Sequence, residues 1–422
     1  MGADSWQTYR LGECVNFLSG GTPSKSNPAY WGGNIPWVTC KDMKVTRLHD
    51  SQDHLTETGS VNSTRLVEPG TILIVVRGMI LAQHFPVAMA MRRVAFNQDL
   101  KALQCAPNVD PQFLFYWLQG NSYEILGLAD EAAHGTKRLQ TDRLQNFPVH
   151  LPPLPTEQKI AAIFLAYDDL IENNTRRIKI LEEMARSLYR EWFVHFRFPG
   201  HEQVKMVDSE LGLIPEGWQV KGIGEVIETL GGGTPSTKEP KYWQDGDLLW
   251  YTPSDLTSTN TMFIADSEKK ITALGLQKSS ARMFPPYSVM LTSRATIGVV
   301  AINTKAACTN QGFITCIPNK QLSAYQIYFW LAENKDKIIS FASGATFKEI
   351  NKTTFRKLPI ILADEDTTQI FVKTLNPIFY QIENFQNKNI NLCCTRDLLL
   401  PKLISGQIDV EKLDINITET AA

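Results

Sequence analysis

Between Ile160 and Trp192, large or seam-forming side chains return at alternating spacings of four and three residues: Ile160, Phe164, Tyr167, Ile171, Asn174, Ile178, Leu181, Ala185, Leu188 and Trp192. That is a heptad seam, and it predicts one helix of about 40 residues, roughly 60 Å long. The helix follows Leu151-Pro152-Pro153-Leu154-Pro155, where prolines end an extended segment and Thr156 is placed to cap. A second seam runs through Phe371, Leu375, Ile378, Ile382, Phe385, Asn389, Leu392, Arg396, Leu399 and Leu403. Pro377 lies inside it, and an interior proline costs about 3 kcal/mol, so a kink or split is expected there. The segment before each seam has a different texture. Short β-rich runs, such as Thr71 to Val76 and Val299 to Asn303, alternate with Gly, Pro and Ser and with helical stretches such as Pro111 to Gln119. This predicts a mixed α/β globular domain ahead of each helix.

The two halves are one unit used twice. Trp6-Gln7, Gly12-Glu13, Gly21-Thr22-Pro23-Ser24 and Tyr30-Trp31 recur 212 residues later as Trp218-Gln219, Gly224-Glu225, Gly233-Thr234-Pro235-Ser236 and Tyr242-Trp243. Trp37, Asp42, Arg77, Asn97-Gln98 and Trp117-Leu118 return as Trp250, Asp255, Arg294, Asn310-Gln311 and Trp330-Leu331 at offsets of 213 to 217. Each seam alone would expose a row of apolar groups, so the two helices are expected to pair, antiparallel if a local two-fold relates the units. The globular domains would then lie at opposite ends. A dyad would also set Asn174 opposite Asn389, polar positions in otherwise apolar seams.

With 422 residues the chain exceeds one ordinary core and suggests two or three units. Apolar residues at 43% and charged residues at 20% are the balance of a folded globular protein. No run approaches the roughly 18 uncharged apolar residues of a membrane span, and the first residues carry no basic-then-apolar leader, so a cytoplasmic location is expected. The seven cysteines are scattered without a Cys-x-x-Cys pair; reduced thiols and no metal site are expected, adjacent Cys393 and Cys394 included. A net charge of −2 argues against a protein that coats nucleic acid alone. Any DNA-binding charge must be local or shared with a partner. Two readers on a rigid spacer suit two short half-sites on one face of DNA, about one turn or roughly 34 Å apart.

Several segments carry a resemblance to a known family. The order Gly21 to Ser24, Tyr30 to Gly32 and Ile35 to Thr39 resembles the specificity (S) subunits of type I restriction–modification enzymes, which act in phage defence. So do Leu151-Pro152-Pro153-Leu154-Pro155-Thr156-Glu157-Gln158, Trp192-Phe193-Val194, Leu213 to Trp218 and Leu399 to Gly406, so that nearly the whole chain is covered. The resemblance implies an α+β fold: two mixed α/β target-recognition domains related by a pseudo-two-fold and joined by two long antiparallel coiled-coil helices. The expected divisions are 1–154 and 217–362 for the recognition domains, 155–197 and 363–406 for the helices, 198–216 for a linker and 407–422 for a tail. The implied role is to recognise a bipartite double-stranded DNA target and position two adenine-methylating subunits on it, with restriction subunits in the full complex. The chain would be non-catalytic and bind no cofactor itself; S-adenosylmethionine and ATP with Mg would sit on the partners. The first unit departs from the pattern: it has Arg77-Gly78-Met79-Ile80-Leu81 and Asn97-Gln98-Asp99, where the second has Arg294-Ala295-Thr296-Ile297-Gly298 and Asn310-Gln311-Gly312.

The residues themselves supply candidate DNA contacts. The Gly-Thr-Pro-Ser turns can offer backbone N–H groups and the hydroxyls of Thr22, Ser24, Thr234 and Ser236 to phosphates, with Lys25 and Lys238 adding charge, or can be structural turns. Arg77 and Arg294 each end an apolar run, where a guanidinium can reach a phosphate or a guanine edge, or close an internal ion pair. Thr136, Lys137 and Arg138 after Gly135, and Thr346 and Lys348 after Gly344, form matching late loops suited to close approach. Residues repeated in both readers fit phosphate or scaffold roles better than base reading. Tyr30-Trp31, Trp37, Tyr242-Trp243 and Trp250 read as domain core.

The enzyme alternatives are thin. Asn27-Pro28-Ala29-Tyr30 is superficially similar to the Asn-Pro-Pro-Tyr tetrapeptide of adenine methyltransferases, but its repeat copy is Glu239-Pro240-Lys241-Tyr242 and no glycine-rich nucleotide turn accompanies it. No phosphate-binding loop for ATP is present, and Asp266, Glu268 and Lys269 read as a solvated loop. A scaffold joining protein partners without DNA is the remaining class.

Overall fold

The computed structural model describes residues 6–131, 135–344 and 348–415. Two ten-residue helices, Pro111–Gly120 (α1) and Ala324–Glu333 (α3), and two of 40 residues, Leu154–Phe193 (α2) and Glu365–Ile404 (α4), carry most of the helical part. The chain divides into two compact units, residues 1–172 with 390–422 and residues 173–389, so each unit takes one half of each long helix. Among the described residues no helix is long and apolar enough to cross a membrane.

In the first unit, strands Val15–Ser19 (β1), Arg47–Leu48 (β2), Ile72–Val75 (β3), Val87–Ala90 (β4) and Leu100–Cys105 (β5) form a sheet in the order β1-β5-β3-β4-β2. All neighbours are antiparallel except β2 and β4. Both faces of β3 are buried, which is why Ile72-Leu73-Ile74-Val75 shows no polar alternation. Asp110 caps α1 by accepting from the backbone of Gln112 and Phe113, and Pro111 fills the first helical position, where its missing N–H costs nothing. Gly120 ends α1 against Ile404 of α4; a Cβ there would stand 2.2 Å from Ile404 Cδ1.

The first half of α2 buries Ile160 and Phe164 completely, Phe164 lying 4.9 Å from the Tyr116 ring of α1. Beyond them, Asp168 takes a 2.6 Å hydrogen bond from the Tyr116 hydroxyl and another of 2.6 Å from the Arg396 guanidinium of α4. Arg47 reaches Asp169 at 2.6 Å and Glu172 at 2.9 Å, fixing α2 to the edge of the sheet. Tyr167, Ile171, Leu392 and Leu399 are half-buried.

In the second unit, Glu228–Gly231 (β6), Phe263–Ile264 (β7), Val289–Thr292 (β8), Val300–Asn303 (β9) and Phe313–Ile317 (β10) repeat the strand order as β6-β10-β8-β9-β7, again with one parallel edge, β7 on β9. Ser323 and Gln326 make a reciprocal capping box on α3, and Asp364 caps α4 through the backbone and hydroxyl of Thr367. Here the helices pack through aromatic rings. Tyr325 stacks on Phe379 at 3.7 Å, Tyr189 lies 5.5 Å from Phe329, and Phe193 meets Phe371 edge-on at 4.7 Å. Ile178, Leu181, Leu188 and Ile378 are half-buried, Phe371 and Ile382 are fully buried, and Phe385 lies under Arg177 and Lys388.

Asn174 Nδ2 donates to Asn389 Oδ1 at 2.9 Å, and Asn389 Nδ2 donates to Thr175 Oγ1 at 3.1 Å. With Phe193 beside Phe371, the α2 and α4 halves in this unit run antiparallel.

Three expectations need correction. Helix α2 begins at Leu154, so Thr156 lies inside its first turn rather than capping it; the Thr156 N–H bonds Pro153 O at 2.7 Å. Helix α4 is not split at Pro377, which sits on its exposed side in one unbroken helix. The long helices also bury more than a seam: Glu157, Asp168, Tyr189, Phe379 and Gln386, all outside the heptad set, are buried.

Candidate nucleic-acid interface

The Gly-Thr-Pro-Ser turns are built the same way in both units, and tryptophans build them. Trp37 Nε1 donates to Gly21 O at 3.0 Å and Trp31 Nε1 to Ser24 O at 3.1 Å; in the second unit Trp250 donates to Gly233 O at 2.8 Å and Trp243 to Ser236 O at 3.0 Å. Each pair of indoles meets edge to face, at 5.1 Å and 5.0 Å. The aromatic residues therefore clamp the turns from inside. Gly21 is required by close approach, since a Cβ would lie 2.0 Å from Ser63 O. Asn27 accepts from the Ala29 N–H and starts a short helical turn, a local structural task for the Asn-Pro-Ala-Tyr segment.

The threonine hydroxyls of both turns are already engaged: Thr22 Oγ1 donates to Gln98 Oε1 and Thr234 Oγ1 to Gln311 Oε1, each at 2.6 Å. These hydroxyls serve as positioning groups that tie each turn to the Asn-Gln loop, and the glutamines were legible in the sequence only as a repeat. Pro23 and Pro235 are buried, whereas Ser24, Lys25, Ser236 and Lys238 are exposed beside them. Ser24 shares a 2.8 Å hydrogen bond with Ser26, and Lys25 Nζ lies 6.0 Å from the Trp37 ring.

The arginines meet the late loops. Arg77–Gly78 forms a short strand on Lys137–Arg138, with Arg77 opposite Arg138 and Gly78 opposite Lys137, and Asp130–Glu131 pairs on the far side. Arg77 Nε lies 3.1 Å from Asp99 Oδ1, with the Arg77 side chain 58% exposed. Arg77 thus has an internal ion partner and still faces outward. Among the described residues no ion pair engages Lys137 or Arg138, and Thr136 borders them. Cys40 donates to Arg77 O, and burial, with the Asp99 charge, pushes its thiol up to about 11, so it is a neutral packing group.

In the second unit Arg294 bridges to Glu349, its Nε 3.8 Å from the carboxylate, and the Ala295 N–H bonds Lys348 O at 3.1 Å. Arg294, Ala295, Asn310, Gln311, Gly312 and Pro253 line a depression of about 330 Å³. Thr346 falls outside the described residues. Each unit therefore gathers its turn, its Asn-Gln loop, its arginine and its late loop into one cluster. The clusters differ in charge: opposite Arg77 stands Arg138, opposite Arg294 stands Glu349.

Other candidate chemistry dissolves into local structure. Asp255 accepts from Thr252 and from the Glu268 N–H, and Asp266 pairs with Lys270 at 3.1 Å. Among the described residues no three His, Cys, Asp or Glu side chains group to hold a metal.

The model of the type I restriction modification DNA specificity domain matches twice, over residues 3–183 and 215–392. The chain is 26% identical over 421 residues to the specificity subunit of the MjaIX type I restriction enzyme of Methanocaldococcus jannaschii, covering 97% of this chain and 94% of that one. It is 26% identical over 371 residues to the HindI specificity subunit of Haemophilus influenzae, covering 73% and 80%. Its fold is similar to the crystal structure of the S subunit of a type I restriction-modification system from M. genitalium, with a TM-score of 0.59 at 14% identity over 94% of this chain and 96% of that one.

Proposed function

The chain belongs to the type I restriction–modification specificity family and carries two of its DNA specificity domains, and from that premise we propose that it is the non-catalytic reader of a bipartite double-stranded DNA target. Each unit reads one half-site through its clustered loops. The observation that carries this reading is the duplication of the cluster itself: Thr22–Gln98 and Thr234–Gln311 hold the same turn at the same 2.6 Å, with an outward arginine beside each.

In both units the scaffold groups repeat while the groups around the arginine differ. Phosphate contacts fix register and carry no sequence, so a repeated frame with divergent tips suits two readers of different half-sites. Ser24, Lys25, Lys137, Arg138, Ser236, Lys238 and Lys348 supply phosphate contacts, and Arg77 and Arg294 approach the groove.

The long helices offer two similar faces to two copies of a methylating subunit, which would bring S-adenosylmethionine; restriction subunits with ATP and Mg would complete the assembly in the cytoplasm. The chain's own residues bind and orient, and the reactions belong to those partners.

The test is the adenine methylome of a cell lacking other methyltransferases, expressing this chain with its methylating subunit and, in parallel, that subunit alone. Methylation that requires the chain and falls at a split motif with a fixed gap supports the reading. Identical methylation without the chain refutes it and leaves a scaffold.

A further inference from the structure

The two loop clusters also differ at the residues that follow the arginine. In the first unit the residue beyond the Arg77–Gly78 strand is Met79, 70% exposed, the first residue of a short helical turn Met79–Ala82. In the second unit the corresponding tip is Ala295-Thr296, exposed and not a large apolar group. A single exposed apolar side chain is ordinary on a protein surface; what sets Met79 apart is the backbone that turns it outward and the charges beside it.

The local build presents Met79 deliberately. Gly78 takes φ of +153°, a conformation L side chains rarely adopt, which turns the chain out of the strand immediately before Met79. Leu81, two residues on, is fully buried and anchors the turn, while the Gln83 and His84 N–H groups both bond Ile80 O, at 3.0 and 3.1 Å. Beside the tip stand three cations, Arg77, Lys137 and Arg138, set by the strand register. A protein-docking patch is normally apolar over a wider area, whereas this is one thioether next to a strand pair that carries guanidinium and ammonium groups.

Cations flanking an apolar tip match the wall of a DNA groove, where phosphates border the base edges. In the major groove each base pair offers a pattern of donors and acceptors, and the one apolar group among them is the C5-methyl of thymine. We infer that Met79 is a specificity-determining residue that packs on a thymine methyl in the half-site read by the first unit, with Lys137 and Arg138 gripping the adjacent backbone and Arg77 beside it at the groove. The inference rests on the DNA-reading function proposed above and assigns one contact within it.

The test uses the full chain with its methylating subunit and the motif found in the methylome. Duplexes in which each thymine of the first half-site is replaced singly by uracil delete one methyl without disturbing pairing. Wild type is expected to bind one of these about fourfold more weakly, the worth of one methyl removed from water. Met79→Ala is expected to lose that discrimination, and Met79→Gln to accept other bases at the same position, with the second half-site unchanged in both. Equal binding of every uracil duplex by wild type overturns the inference, as does an unaltered uracil penalty in Met79→Ala. Variants that keep the motif but assemble poorly with the methylating subunit place Met79 against protein and also overturn it. A wild-type complex with no bipartite motif is a different failure, that of the DNA-reading function, and is recognisable because it precedes any variant.

Discussion

Arg396→Met removes the countercharge of a buried carboxylate and tests how the first unit holds its helices. The Asp168 side chain is 9% exposed and Arg396 26%, at an N–O distance of 2.6 Å; burial works against the guanidinium, and Asp168 with Asp397 more than offsets it, raising its affinity for the proton. Breaking a fully buried pair from one side costs about 3–5 kcal/mol. Because Arg396 is partly hydrated and Tyr116 still donates to Asp168, about 2 kcal/mol is expected here. The second unit supplies its own control. At the matching positions it has Phe379, Ala185 and Phe329, all buried, in place of Asp168, Arg396 and Tyr116. The triple variant Tyr116→Phe, Asp168→Phe, Arg396→Ala should therefore lie within about 1 kcal/mol of wild type, since an apolar set of suitable volume replaces a buried ion pair at little cost. Urea unfolding with hydrogen exchange of the α1 amides reads the first unit separately, because a chain of two units need not unfold in one step. A triple variant as unstable as Arg396→Met, or an Arg396→Met indistinguishable from wild type, would refute the reasoning.

Two further outcomes follow from groups already placed. Burial pushes the Glu157 carboxyl up to about 7 from 4.5, against the pull of the Asp110 N–H it accepts, with the Asp110 charge adding to the rise. The native state then binds a proton that the unfolded chain releases, so the stability this group contributes is fully present below about 4.5 and is lost as pH rises to about 7; Glu157→Gln, whose carbonyl still accepts that N–H, should remove this component of the pH dependence of the urea midpoint across that window. Lys137→Ala with Arg138→Ala should weaken DNA binding uniformly across sequences and reduce the salt slope by about 1 per cation, whereas Lys348→Ala in the second unit should remove about 1 in total; fluorescence anisotropy over a salt series distinguishes these from a loss of specificity.

Much of the fold was legible because it is periodic or repeated. The four-and-three spacing from Ile160 to Trp192 set the long helix to within a few residues at either end, and the shared Gly-Thr-Pro-Ser and Trp pairs marked equivalent turns. The Trp37 indole proved to be a buried clamp, in keeping with its reading as core, whereas Tyr30, Trp31, Tyr242 and Trp243, also read as core, are half-buried, Trp31 clamping its turn from there. What the pattern hid were pairings between distant segments. Gln98 looked like part of a repeat, and only folding puts its carbonyl on Thr22, 76 residues earlier. Pro377 looked like a breaker, yet on the exposed side of a helix held by Phe371, Leu375 and Phe379 its local cost is outweighed by buried area.

The amino-acid sequence by itself determined the duplication, the helix lengths and part of the buried seam, because heptad spacing and repeated turn chemistry are local properties carried by a single chain. Tertiary structure alone decided that Asp168 is paired with Arg396, that Arg77 lies beside Arg138 while Arg294 lies beside Glu349, and that the exposed Met79 follows a strand pair carrying three cations. Those are contacts between segments tens to hundreds of residues apart, whose charge and burial exist only once the chain has brought them together.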